Sequence, residues 1–214
     1  MKPRIAAAAV SIGMLAIAGT ASAAHDDNPS DQVESYTYAL DPVQAETVPD
    51  SQATGHTRIK ALPNGKVQIK VEAWGLAPGL PHAMHLHGVP GDATDLACPG
   101  PEQDFDEDGY VTVLEGVGNY GGILTSLTTS GDTSPASALA LDRFPVADAS
   151  GYLSYSRTFR DQAAFVDAGT AQVVVHGIDI TGNGSYDFGA GPSSLGAAFP
   201  LEATIPVLCG GIAN

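Results

Sequence analysis

The sequence predicts an all-β protein, on three observations. Short runs rich in β-branched and aromatic residues recur along the chain, 25 glycines and 15 prolines punctuate them, and no stretch sustains a helical period. A chain patterned in this way folds as a β-sandwich or a flattened barrel. The predicted strands, in order, are 33–40, 57–62, 66–74, 82–88, 123–129, 136–141, 152–159, 172–176 and 205–209. Asn64-Gly65 between the second and third is a two-residue hairpin signal. In the third, Val67, Ile69 and Val71 alternate with Gln68, Lys70 and Glu72, the pattern of a half-buried antiparallel strand. Trp74 reads as a core residue. No internal repeat, linker or second globular unit is apparent.

The N-terminus has the grammar of export. Lys2 and Arg4 precede an apolar run over 5–18, and Ala21-Ser22-Ala23 reads as a small-residue cleavage signal, so 1–23 is predicted to be a secretory signal peptide. The run is short for a membrane span, and no later segment approaches the length required. The domain reading is a signal peptide at 1–23, a lead and first strand at 24–50, and one β-domain at 51–214. The polar residues 24–32 are expected to form a disordered lead. Cleavage leaves seven Lys and Arg against 24 Asp and Glu, a net charge of −17. That field disfavours nucleic acid and anionic membrane as partners and suits cations.

Both cysteines, Cys98 and Cys209, lie in the exported part. An even count in such a chain favours a disulfide over two buried thiols. A closed loop of roughly 110 residues would stabilise the fold by about 4–5 kcal/mol on the chain-entropy account.

The segment Pro81-His82-Ala83-Met84-His85-Leu86-His87-Gly88 carries the first chemical signal. In a strand, His85 and His87 share one face while Met84 and Leu86 take the other. His176, at the end of Gln172-Val173-Val174-Val175, is placed to add a third imidazole from a second strand. Three imidazoles suit copper, zinc, iron or nickel, so the donors alone do not name the metal.

Several pieces in fixed order resemble copper/zinc superoxide dismutases: Ala53-Thr54-Gly55, the Asn64-Gly65 hairpin, Gly75-Leu76-Ala77-Pro78-Gly79, His85-x-His87, Gly91-Asp92, Cys98, Val173-Val174-Val175-His176 and Cys209-Gly210-Gly211-Ile212. The resemblance covers roughly 51–98 and 171–212 and leaves the middle poorly matched. It implies a Greek-key β-barrel of the superoxide dismutase type, a Cys98–Cys209 disulfide, copper held by His85, His87 and His176, and superoxide as substrate. The departures are specific. No histidine stands between Cys98 and His176, so the family's bridging and zinc histidines have no counterpart and zinc is not expected at that site. The family's substrate-guiding arginine is replaced by Pro206. His82 and His56 are the candidates for a fourth copper ligand. A chordin-type domain is a rival resemblance, through the Ala83-Met84-His85-Leu86-His87-Gly88 segment.

Where the zinc ligands would stand, Asp104-Phe105-Asp106-Glu107-Asp108-Gly109 runs on to Glu115, matching D-x-D-x-D-G-x5-E. This spacing wraps Asp104, Asp106, Asp108, the carbonyl of Tyr110 and a bidentate Glu115 around one calcium ion, with Gly109 at the sharp turn. Nearby prolines and glycines argue against flanking helices, and the alternative is a solvated acidic loop. A shorter relative follows His176: Asp179, Thr181, Asn183 and Gly184, with Asp187 near but no acid at the twelfth position. It reads as a second calcium loop, as an Asx-rich turn, or, through Asp179, as the carboxylate that orients an imidazole. Two function classes follow: an exported copper oxidoreductase that disproportionates superoxide, and a non-catalytic exported metal-binding or structural β-domain.

Overall fold

A computed structural model describes residues 33–91 and 96–211. The expected signal peptide and lead, Asp92 and Ile212 lie outside the described residues. In chain order the elements are β1 (Glu34–Pro42), β2 (Thr54–Leu62), β3 (Lys66–Trp74), β4 (Met84–Gly88), α1 (Val113–Tyr120), β5 (Gly122–Ser126), β6 (Leu153–Arg160), α2 (Gln162–Val166), β7 (Gln172–His176), β8 (Pro192–Ser193), β9 (Gly196–Pro200), α3 (Leu201–Thr204) and β10 (Pro206–Gly210). No described helix is long and apolar enough to cross a membrane.

Eight strands form one antiparallel sheet in the order β5-β4-β7-β10-β1-β2-β3-β6, and β8-β9 form a small second one. The consecutive strands β3 and β4 lie far apart, β6 returns to β3, and β7 inserts beside β4, which is Greek-key crossing. The protein is all-β, as its punctuation predicts. Alternation fixes which face is inside: Val67, Ile69, Val71 and Ala73 of β3 are fully buried while their neighbours face outward. One core joins both halves of the curled sheet, from Ile59 and Ile69 through Leu86, Val173 and Val175 to Leu208.

No ladder joins the end strands β5 and β6, and side chains bridge them instead. The Asp161 carboxylate accepts from the Thr125 and Thr133 hydroxyls at 3.0 and 2.8 Å. Arg157 donates to the Thr128 and Gly131 carbonyls at 2.8 and 2.6 Å. These bonds tie the two ends of the sheet together where no ladder does.

Four expectations need correction. Residues 136–141 form turns flanked by the 3-10 segments Pro135–Ser137 and Leu141–Arg143, because Asp132 gathers the Ser134 N–H and the Ser134 and Ser137 hydroxyls. A helix, α1, does follow the acidic loop. It starts where Glu115 reaches back to the Thr112 N–H at 2.8 Å, a capping contact that outweighs Gly116 and Gly118. The β2–β3 connection has three residues, since Leu62 pairs with Lys66; Pro63 has no N–H to extend the ladder, and Asn64 and Gly65 carry the positive φ values of the turn. Trp74 is 44% exposed, because the inward parity of Val67, Ile69, Val71 and Ala73 sends it outward.

A Cys98–Cys209 disulfide ties the loop after β4 to β10. Beside it a small second core of Val43, Val111, Tyr120 and Val174 covers the outer face of β7.

Candidate metal centre

His85 and His87 lie on β4, and the adjacent strand β7 brings His176 alongside. His85 is directly opposite Val174, so His176, two residues on, shares the face of His85. Met84 and Leu86 point into the main core, as alternation requires. All three histidines are about 3% exposed, and their ring centroids are 5.1–5.9 Å apart.

Each ring is held by one nitrogen. His85 Nε2 lies 3.1 Å from the Ala138 carbonyl oxygen, His87 Nδ1 2.9 Å from that of Gly121, and His176 Nδ1 2.7 Å from that of Thr204. A carbonyl only accepts, so these three nitrogens carry the proton and the opposite ones carry lone pairs. His85 Nδ1, His87 Nε2 and His176 Nε2 are, among the described residues, the buried side-chain nitrogens without a hydrogen-bond partner. One ligand atom from each residue falls within 4.8 Å of the others. An unpaired buried polar group costs about 1–3 kcal/mol, and three brought this close together could hold a metal that accepts imidazole nitrogen.

The supporting carbonyls come from three different loops. Ala138 sits in the turns that replace the expected strand. Gly121 ends α1 at φ 82°, and a Cβ there would lie 2.7 Å from the Gly88 carbonyl carbon and oxygen, so only glycine lets the Gly121 carbonyl reach His87. Thr204 ends α3, with its hydroxyl on Ser193 at 2.7 Å. Phe144 packs edge-on against His85 and Tyr120 against His87; neither was apparent from the sequence.

Burial pushes all three imidazoles toward the neutral form. His85 is held well below the ordinary value, first by burial and then by the charge His176 and His87 would carry. His87 is pushed down to about 3 by burial and then by His176, and His176 to about 4 by burial. A cavity of about 90 Å³ opens onto the three rings, walled by Ala83, Val113, Ile123, Ala138, Leu139, Leu195, Ala203 and Thr204. No charged side chain lines it.

Neither candidate for a fourth ligand joins the cluster. His82 is buried with Nδ1 3.0 Å from the His176 carbonyl oxygen and Nε2 3.2 Å from that of Ala77. His56 stands on the exposed face of β2, 3.0 Å from Glu72.

The two acidic loops share one hydrogen-bond pattern. Asp104 accepts from the N–H groups of Asp108 and Gly109, and Asp179 accepts from those of Asn183 and Gly184. Asp108 then accepts from Tyr110, and Asn183 from Ser185. Glu115 accepts from the N–H groups of Asp106 and Thr112, the third and ninth loop positions. In the second loop, Thr181 and Asp187 hold those positions and donate instead to Glu202 of α3, at 2.8 and 2.7 Å. Glu202 is fully buried, and only the fold brings it to the third and ninth positions of this loop, which Glu115 serves in the first. Asp104, Asp106 and Asp108 offer ligand oxygens within 4.8 Å of one another. Burial and then the charges of Asp106, Asp104 and Glu115 raise the pKa of Asp108. Burial would raise that of Glu115, but Thr112, Phe105 and Asp106 hold it down.

No family model matches the chain, and no curated protein does. Among solved structures it is similar to the Cu/Zn superoxide dismutase from Brucella abortus, at 21% identity and TM-score 0.39, over 84% of this chain and 99% of that one. It is similar to the clock protein EA4 at 16% identity and TM-score 0.39, over 81% and 92%. It is also similar to Candida albicans Superoxide Dismutase 5 (SOD5), Cu(II), at 12% identity and TM-score 0.36, over 83% and 91%. Superpositions this loose add nothing to what the strand order and the histidines show by themselves.

The depressed imidazoles set a pH dependence. Between an ordinary value of about 6.5 and a folded value of about 3–4, the unfolded chain binds protons that the folded chain does not, so stability falls as pH falls. The melting temperature of chelator-treated protein should therefore drop from about pH 7 to about pH 5, before carboxylates titrate. His87→Leu, which removes one such group, should flatten that slope; equal slopes in the two proteins would contradict the assignment.

Proposed function

We propose that the protein is an exported, copper-binding, superoxide dismutase-like protein that disproportionates superoxide. The observation that carries this reading is the set of three buried lone pairs, on His85 Nδ1, His87 Nε2 and His176 Nε2, each fixed by a carbonyl bond on the far side of its ring. These imidazoles would hold the metal, and the ordered motifs around them favour copper. When bound, copper supplies a one-electron couple, so that two superoxide ions and two protons become dioxygen and hydrogen peroxide. Export is supported by the leader grammar of 1–23 together with the disulfide.

The chain's own contribution is positional. The Ala138, Gly121 and Thr204 carbonyls fix tautomer and ring orientation, and Phe144 and Tyr120 restrict ring rotation. The apolar cavity admits small molecules and excludes large reductants. With Pro206 in the place of a guiding arginine, no cation lining the cavity and a net charge of −17, anion encounter proceeds without steering.

Calcium in the 104–115 loop is the accompanying proposal, with Asp104, Asp106, Asp108, the Tyr110 carbonyl and Glu115 as ligands. The 179–187 loop is the second calcium position, with Asp179, Thr181, Asn183 and Asp187 completed by Glu202. Chelating calcium should lower the melting temperature by mass action, and Glu115→Gln should remove most of the part due to the first loop. Identical melting with calcium and with chelator would reject calcium at both.

His85→Ala, His87→Ala and His176→Ala should each weaken copper binding by more than about tenfold, a loss of about 1.4 kcal/mol or more, whereas His56→Ala should not. Superoxide turnover should track copper occupancy, need no zinc, stay below the diffusion limit, and hold or rise as salt screens the acidic field. Full copper occupancy without turnover would reject catalysis and leave a copper-binding domain. Unchanged affinity in all three variants would reject the site.

A further inference from the structure

The described residues include seven Lys and Arg, and five of them, Arg58, Lys60, Lys66, Lys70 and Arg160, project from the outer face of β2, β3 and β6. On those three strands Glu72 is the single carboxylate. The register makes this segregation costly. Arg58 lies directly opposite Lys70, and Lys66 directly opposite Arg160. Like charges facing across a ladder destabilise it, in a chain with 24 carboxylates available to alternate with them.

An aromatic platform adjoins the cations. Trp74 lies between His56 and Tyr152, with ring centroids 5.5 Å away on each side and interplanar angles of 35° and 34°. Glu72 clasps both flanking rings, accepting from the Tyr152 hydroxyl at 2.8 Å and meeting His56 Nε2 at 3.0 Å. A surface groove lined by Thr37, His56, Arg58, Lys70 and Glu72 connects the platform to the charges. Exposed aromatic rings held in place by hydrogen bonds offer contact area at little entropic cost.

We propose that this face binds a linear anionic polysaccharide. A sugar ring stacks on Trp74, its hydroxyls donate to Glu72, and carboxylates on neighbouring sugars meet Arg58 and Lys70, with Lys60, Lys66 and Arg160 extending the track. Such a polymer relieves both like-charge pairs. A single-stranded DNA fits less well, because its deoxyribose backbone carries no free hydroxyls to donate to Glu72 beside a ring stacked on Trp74.

Trp74 is the only tryptophan in the chain, so its emission reports on this face alone. The exported protein is titrated with polygalacturonate, with neutral dextran, with a single-stranded oligonucleotide and with itself, at low salt and at about 0.5 M, where screening acts over a few Å. Saturable change with polygalacturonate, none with dextran, and at least about tenfold weaker binding at high salt are expected. Arg58→Glu with Lys70→Glu should weaken binding at least about tenfold while copper binding at the histidines stays unchanged; Arg58→Gln with Lys70→Gln, which removes the like-charge pair and should not lower the melting temperature, serves if the reversal does not fold. Trp74→Ala, followed by calorimetry, should also weaken it. Equal binding by the charge variants, equal binding of dextran, tighter binding of the oligonucleotide, no binding of polygalacturonate, or self-association through this face in its place would each overturn the proposal.

Discussion

Three neutral imidazoles buried at one point, each anchored by a backbone carbonyl, are the constraint on which the rest of the site depends. Their unpartnered nitrogens are costly in a chain that satisfies its other buried side-chain nitrogens and oxygens among the described residues. That cost requires a rigid frame, and the frame is visible. Adjacent strands β4 and β7 set the spacing of the rings, while the Ala138, Gly121 and Thr204 loops set their rotation. Each loop is itself fixed by an identifiable contact: the Asp132 hydrogen bonds, the close approach of Gly121 to Gly88, and the Thr204–Ser193 bond.

The outer face of the sheet is thereby divided. Over β4 and β7 it is covered by α1, the disulfide and the 192–204 segment, which keep the histidines dry. Over β2, β3 and β6 it is bare and carries most of the protein's positive charge. The acidic loops lie on the covered side of this division: Glu115 belongs to both the 104–115 loop and the first turn of α1, and Glu202, which accepts from the 179–187 loop, stands on the helix whose last residue holds His176. Both acidic loops thus connect to neighbours of the histidine cluster, through Tyr120 against His87 in one case and Thr204 against His176 in the other.

Much of this was legible from residue pattern alone. Period-2 alternation located β3 to the residue, placed His85 and His87 on one face, and put Met84 and Leu86 in the core. The cysteine count led to the disulfide. What escaped had physical reasons. Residues 136–141 look β-prone, yet Asp132 and the Ser134 and Ser137 hydroxyls fold them into turns. The α1 helix was masked by Gly116 and Gly118, although Thr112-x-x-Glu115 is a capping signature. Trp74 was misplaced by its hydrophobicity when the parity of Ala73 already turned it outward. Glu202 and the anchoring carbonyls could not be read at all, since they reach their partners only through the tertiary fold.

The tautomers of the three histidines test the central claim most directly. Nitrogen-15 correlation spectra of the metal-free protein at about pH 6, below the ordinary imidazole value, should show His85 as the neutral Nε2–H form and His87 and His176 as neutral Nδ1–H forms. Imidazolium signals, rapid tautomer averaging, or the opposite tautomer at any of the three would contradict a site built from carbonyl-anchored, lone-pair-directed imidazoles.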